Sequence, residues 1–296
     1  PPASGSAAPT PGPSSLLLPE PPLLAAGACG GPVVMFAVTP LRNALTVAAS
    51  NQTSSFVQIY AGIFRGGARG AWVGGAFTML PAVPQFCVLG PMFHVYRQAL
   101  GGSAGAAVVA TALTETLIAY GAETRNAQLA VPGRAQGVIL HNPMRPFGPG
   151  VGVHLLRNTI AMSGLRVLSE PCQRGVRAVC EATNVKMQPT TCTVLSDLVA
   201  NLAASALSTP FHQLYCFLVI SAVQRAPGAP TPSAGETVVE AAAFLRKAFL
   251  VPGTNRPSSL ALRDISLRCA YNATIFTLFG AIERGSIDLW SSRGWS

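Results

Sequence analysis

Apolar positions in this chain come in long unbroken runs rather than in short alternating stretches. Residues 23–41, 70–96, 98–113, 150–168, 198–224 and 269–282 are the six runs, and 70–96, 98–113, 198–224 and 269–282 contain no Asp, Glu, Lys or Arg. The run 150–168 is broken by Arg157 and Arg166. Each run approaches or exceeds the ~20 residues that a bilayer-spanning helix needs. The pattern predicts an all-α membrane protein with six transmembrane helices, over about 23–46, 74–100, 103–120, 150–169, 194–223 and 261–282. Two shorter stretches have the helical period without that length. Phe56, Ile59, Tyr60 and Ile63 recur at i, i+3, i+4 and i+7, which predicts an amphipathic surface helix over 54–64. Residues 233–250 predict a second surface helix. There Ser233 and Glu236 form a capping box, Glu240 follows, and Arg246 and Lys247 lie near the end, where cations suit the helix dipole.

The order of these elements repeats. Thr39-Pro40-Leu41-Arg42-Asn43-Ala44-Leu45 closes the first run, and Thr209-Pro210-Phe211-His212-Gln213-Leu214-Tyr215 recurs within another. Each proline removes a backbone donor and predicts a kink. Pro81 and Pro84 interrupt the second helix, and the Gly-rich turn from Gly66 to Gly74 leads into it. A loop with a short helix is expected over 121–147 and a polar loop over 170–191. The chain divides into a Pro/Ala/Ser-rich tail at 1–22 and three repeats at 23–102, 103–191 and 192–296, each of long helix, surface segment and long helix.

Composition supports the membrane reading. Only 10% of residues are charged and 49% are apolar, with mean hydropathy +0.40, against roughly a quarter charged in soluble domains. The net charge of +9, carried almost wholly by arginine, has a topological explanation. Loops 42–69, 121–147 and 211–263 carry +3, +2 and +3, while the N-terminal side carries +1 in total. Basic loops gathered on one side orient a membrane protein, so no nucleic-acid partner is inferred. The seven cysteines form no CxxC pair, and most sit in apolar runs as small hydrophobes. Cys172, Cys180 and Cys192 share the one long loop in which a disulfide would fit. A start on Pro1 rather than Met leads us to expect a preceding segment. The four histidines (94, 141, 154 and 212) show no metal spacing, and no nucleophile-base set or phosphate-binding loop is present. No catalytic role, metal or cofactor is expected.

Three such units, with proline at the end of the odd helices and a Gly-rich turn into the even ones, resemble the mitochondrial carrier family over about residues 23–290. In that family each odd helix ends in Pro-x-acid-x-x-base and each even helix in aromatic-acid-x-x-base. Alternating charge pairs then close each mouth of a central cavity, and the repeats rock around a midplane site. This chain keeps the frame and departs from the charges. After Pro40 the acid and base positions hold Arg42 and Leu45, and after Pro210 they hold His212 and Tyr215. In the second unit Thr116 aligns with the proline, which puts Ile118 and Gly121 at the charged positions, with Glu123 and Arg125 as slipped partners nearby. The opposite gate reads Phe93-His94-x-x-Arg97, Ser169-Glu170-x-x-Gln173 and Phe279-Gly280-x-x-Glu283. No acid–base ring is expected to close from these residues.

Arg157 and Asn158, with Arg268, stand within apolar helices at places that resemble the cavity-centre residues of small-anion carriers, and guanidinium suits carboxylate recognition. Either they face an anion in a cavity, or each arginine pairs with a helix carbonyl, a lipid phosphate or another subunit. Arg166 is expected to snorkel to the interface, and His154 to pack or face lipid. Two functions follow from the resemblance. One is a transport-inactive structural subunit of a large inner-membrane complex, a respiratory complex or ATP synthase, with both termini toward the intermembrane space. The other is an exchanger of a small organic anion. Membrane lipids are partners in both, with cardiolipin or another phospholipid at helix N-termini.

Overall fold

The structure is a computed structural model that describes residues 21–51, 53–131, 137–225, 230, 232–254 and 256–292. Most of the 1–22 tail and the last residues of the C-terminal tail lie outside the described residues. The described residues are all-helical, with no strand. Three helices are long and apolar enough to cross a membrane: Ala104–Ala130, Thr191–Gln224 and Ser259–Ser292. Two bent pairs, Ala26–Ala37 with Thr39–Ser50 and Gly75–Cys87 with Met92–Ala99, pass the same test when each is taken as one span. By length and composition this is a membrane protein.

The chain opens with α1 (Pro21–Ala25), a π-helical turn (Ala26–Gly30), α2 (Gly31–Ala37) and α3 (Thr39–Ser50). The axis bends by 51° at Val38, one residue before Thr39-Pro40, where the proline lacks a donor. Thr39 Oγ1 donates back to the Met35 carbonyl at 2.8 Å. The second Thr-Pro pair behaves differently. α11 (Pro189–Gln224) runs through Pro210 as one 36-residue helix, although Thr209 Oγ1 makes the same bond back to the Ser205 carbonyl at 2.7 Å.

α4 (Phe56–Ile63) is the expected first surface helix, capped by Ser55 and Gln58 in a capping box. A 3-10 turn and α5 (Gly67–Ala71) lead to α6 (Gly75–Met79) and α7 (Ala82–Ala99). Gly74 caps α6 at φ +74 and Gly150 caps α9 (Val151–Ser163) at φ +77. That left-handed conformation favours glycine, and the two caps fall at matching places in the first two units. At Gly74 a Cβ would also meet Asn126 Oδ1 at 2.6 Å. α12 (Ala234–Phe249) is the second surface helix, capped by the Ser233–Glu236 box read from the sequence.

Three boundaries differ from expectation. α8 (Ala104–Ala130) continues ten residues past Tyr120, because Tyr120, Ala127 and Val131 pack against Tyr215, Cys216 and Val219 of α11. The 121–147 loop therefore starts late, and its residues 137–147 form no surface helix. The expected loop after α9 is mostly helix: a π turn at Gly164–Leu168 runs into α10 (Ser169–Ala182). α13 (Ser259–Ser292) also runs ten residues beyond residue 282.

α11 is the central strut and packs on α9, α10, α13 and α3. Gly164 lets the first of these contacts close, since a Cβ there would press on Ala204 and the Ala200 carbonyl of α11. Arg263 at the start of α13 ties down the end of α3. Its guanidinium donates to the Ala48, Asn51 and Ser54 carbonyls at 2.8–3.0 Å and to Asp264 at 2.7 Å. The Ala48 and Asn51 carbonyls lie at the end of α3, which leaves its last carbonyls without helical partners, and Ser54 follows in the turn to α4. Asn51 is a turn residue, its Oδ1 accepting from the Thr53 and Ser54 amides.

Candidate functional site

A subset of the polar residues of the long helices converges on the middle of the bundle. On α8, Glu115, Thr116, Tyr120, Glu123 and Thr124 fall at i, i+1, i+5, i+8 and i+9, on the side turned to the middle of the bundle. On α9 they are His154, Arg157 and Asn158, and on α11 His212, Tyr215 and Cys216, both at i, i+3, i+4. α3 adds Arg42 and Asn43, and α13 adds Arg268. All are buried.

They meet at one carboxylate. Glu123 Oε2 receives Arg42 Nη2 at 2.8 Å, Arg157 Nη2 at 3.1 Å and His154 Nε2 at 3.1 Å. Arg157 also donates from Nε and Nη2 to Asn158 Oδ1 at 2.8 and 2.6 Å, and from Nη1 to His212 Nδ1 at 3.2 Å. Asn158 Nδ2 donates to Glu115, whose other oxygen accepts from Gln85 Nε2 of α7 at 2.9 Å. Arg268 Nη1 reaches the same His212 nitrogen at 3.5 Å. Around the charges, the rings of Tyr120, His154 and Tyr215 stand edge to face with centroids 5.0–6.2 Å apart. The Arg157 guanidinium lies 5.6 Å from the Tyr215 ring centroid.

Charges withdrawn from water cost several kcal/mol each unless they are paired and hydrogen-bonded. Arg157 and Glu123 meet that condition fully. Arg42 and Arg268 meet it in part, since Arg42 Nη1 and Arg268 Nε are buried with no hydrogen-bond partner among the described residues. The cluster holds three guanidiniums against the two carboxylates Glu115 and Glu123. It can bind helices α3, α7, α8, α9, α11 and α13 to one another, and it has spare donors on its Arg42–Arg268 side.

The expectation concerned an acid–base ring: Arg42 and Glu123 form one ion pair across the bundle with Arg157 attached, and not a ring of three. The slipped residue Glu123 carries it. Ile118 and Gly121 take no part: a Cβ at Gly121 would collide with the Pro143 and Arg145 carbonyls. Arg157 pairs with side chains of its own bundle. His154 is packed, at 0% exposure.

The residues after the two prolines part company. Leu45 lies in the core with Met35, Val38, Leu267 and Tyr271, and Tyr215 bonds the Thr124 hydroxyl at 2.8 Å. Asn43 bridges the Ala71 and Val73 carbonyls and Asn126, whereas both polar atoms of its counterpart Gln213 are buried and unpartnered among the described residues.

The residues expected at the opposite gate do not converge. Phe93 is buried against Ala107 and Val108, with the Arg166 guanidinium 4.9 Å from its ring centroid. His94 is exposed and stacks edge-on with Phe93. Arg97 is exposed and donates to the Gly102 carbonyl at 3.4 Å, and Gln173 reaches Thr193 at 3.3 Å. Glu170 is exposed and Gly280 half-buried, and the Glu283 side chain lies outside the described set.

Sequence reasoning missed Glu115 and Gln85. The available signal was the run of Glu115, Thr116, Tyr120, Glu123 and Thr124 within a helix of span length. An intramembrane carboxylate is a partner-seeking group. No protein-family profile matches the chain, and no curated protein is significantly similar to it.

Proposed function

We propose that the chain is a carrier-like protein of the mitochondrial inner membrane that no longer transports. In this reading it serves as a structural subunit of a large membrane complex, a respiratory complex or ATP synthase, with both termini toward the intermembrane space. The pseudo-threefold organisation with six spans is part of this reading. The paired left-handed caps at Gly74 and Gly150 and the two capping-box surface helices at Ser55 and Ser233 support it.

One observation carries the loss of transport. Each nitrogen of the Arg157 guanidinium has a partner in Asn158, His212 or Glu123, so the group is already engaged by its own bundle at the place where a carrier would bind a solute. The ring contact between Phe86 of the second span and Phe279 of the last, 4.7 Å between centroids, further narrows the interior.

Mild solubilisation followed by native electrophoresis tests the subunit role. The chain should migrate far above its 30.6 kDa and with a respiratory or ATP synthase activity; migration as a small particle would contradict it. A second reading, exchange of a small organic anion, is favoured by the free donors of Arg42 and Arg268. They could take a carboxylate with Arg157 and Asn158 beside it.

A further inference from the structure

α10 is the most sharply amphipathic helix in the chain, yet none of its residues is buried. Its charged residues Glu170, Arg174, Arg177 and Glu181 project to one side at i, i+4, i+7 and i+11, with Cys172, Val176 and Val179 on the other. Ser169 bonds Asp197 and Gln173 reaches Thr193, so α10 is held beside the start of α11. Between the two helices lies a cavity of about 520 Å³, walled by Val176, Val179, Val185, Met187, Leu195 and Val199 among others. That size falls within the ~300–1,000 Å³ of small-ligand sites.

Its chemistry selects the occupant. Buried water needs polar partners, and Thr183 offers the one hydroxyl in the lining. The α11 wall, Leu195 and Val199, belongs to Thr191–Gln224, a helix long and apolar enough to cross a membrane, and both side chains are exposed. At the turn between the helices Lys186 stands between Val185 and Met187, both of which line the cavity. Lys186 is exposed and makes no ion pair among the described residues. An apolar slot with an unpaired cation at its rim fits a hydrocarbon chain that ends in an acidic group.

We propose that this cavity holds one acyl chain of an acidic phospholipid of the surrounding bilayer, with the headgroup phosphate at Lys186. The test places the full chain in phosphatidylcholine nanodiscs doped with phosphatidylglycerol that carries a diazirine in its acyl chain. Photolysis should concentrate label on residues 172–199. Val199→Trp should lower that label by about tenfold, the effect of removing ~1.4 kcal/mol of binding, and Val176→Trp should do the same from the other wall. Lys186→Glu should reduce labelling by the phosphatidylglycerol probe and leave a phosphatidylcholine probe unchanged. Label spread evenly over the apolar helices, or unmoved by either tryptophan, would overturn the proposal. So would a dimer trapped through Cys180 by a bifunctional maleimide, which would put a second copy on this face.

Discussion

At the level of Arg42, side chains from six helices turn inward and bond to one another, whereas at the level of Phe93 the comparable residues turn outward or pack in apolar surroundings. Both levels contain arginine, glutamate and histidine, so residue type does not separate them. The difference is whether a carboxylate lies within reach of the cations. Glu123 faces Arg42 and Arg157 in the buried interior, while Glu170 is exposed on the charged face of α10. A charge inside the bundle must be paired, and one near its end need not be. One end of the molecule is therefore fastened by charge and the other by ordinary packing.

The largest expected effect comes from breaking the fastened end. Glu123→Gln leaves the Arg42 and Arg157 guanidiniums buried without their counter-charge and should cost about 3–5 kcal/mol. Thermal unfolding of the purified protein in detergent would read this loss. Arg97→Ala, at the other end, should stay within about 0.5 kcal/mol. Equal losses for the two would remove the distinction. Next comes Arg263→Ala, which strips three carbonyls at the end of α3 and in the turn after it of a charged donor. It should cost about 1.5–3 kcal/mol, the range for hydrogen bonds to charged groups.

Trp72→Phe keeps the ring against Phe36 and Phe64 but loses the 2.9 Å bond from Nε1 to the Phe36 carbonyl, a loss of about 1 kcal/mol in the same assay. The smallest effect lies at the start of α12. The Ser233 backbone N–H, with its hydroxyl, holds the Glu236 carboxyl below its ordinary value. The cap is thus complete above the ordinary glutamate range and is lost as pH falls through the lower folded value. The Ser233 amide chemical shift should follow that titration in the wild type and be flat in Glu236→Gln.

Much of the fold was legible in the sequence because it rests on local rules. The apolar runs, the capping boxes at Ser55 and Ser233 and the glycines at 74 and 150 each carry their own physical signal. The helix extensions were not legible. α8 continues past Tyr120 because residues ninety positions away in α11 cover it, and no local pattern reports that. α10 went unread because a helix rich in Arg and Glu, with proline at Pro171, looks like a loop until its charges are placed around a wheel.

The cluster was half legible. Arg157, Asn158, Arg268 and Arg42 stand out as charges in apolar helices, but their partner is decided by which faces the bundle turns inward. Aligning Thr116 with the motif's proline put Ile118 and Gly121 at the charged positions, whereas the structure uses Glu123. The motif positions predict charge pairs along the chain, whereas the pair that forms is set by the packing of α3, α8 and α9.

Solute exchange across liposomes tests the central claim most directly, because it asks whether the interior is closed. Purified protein reconstituted into liposomes loaded with a labelled carboxylate should exchange it no faster than protein-free liposomes. Exchange above that background which disappears on Arg157→Ala would contradict the account and make the cluster a transport site.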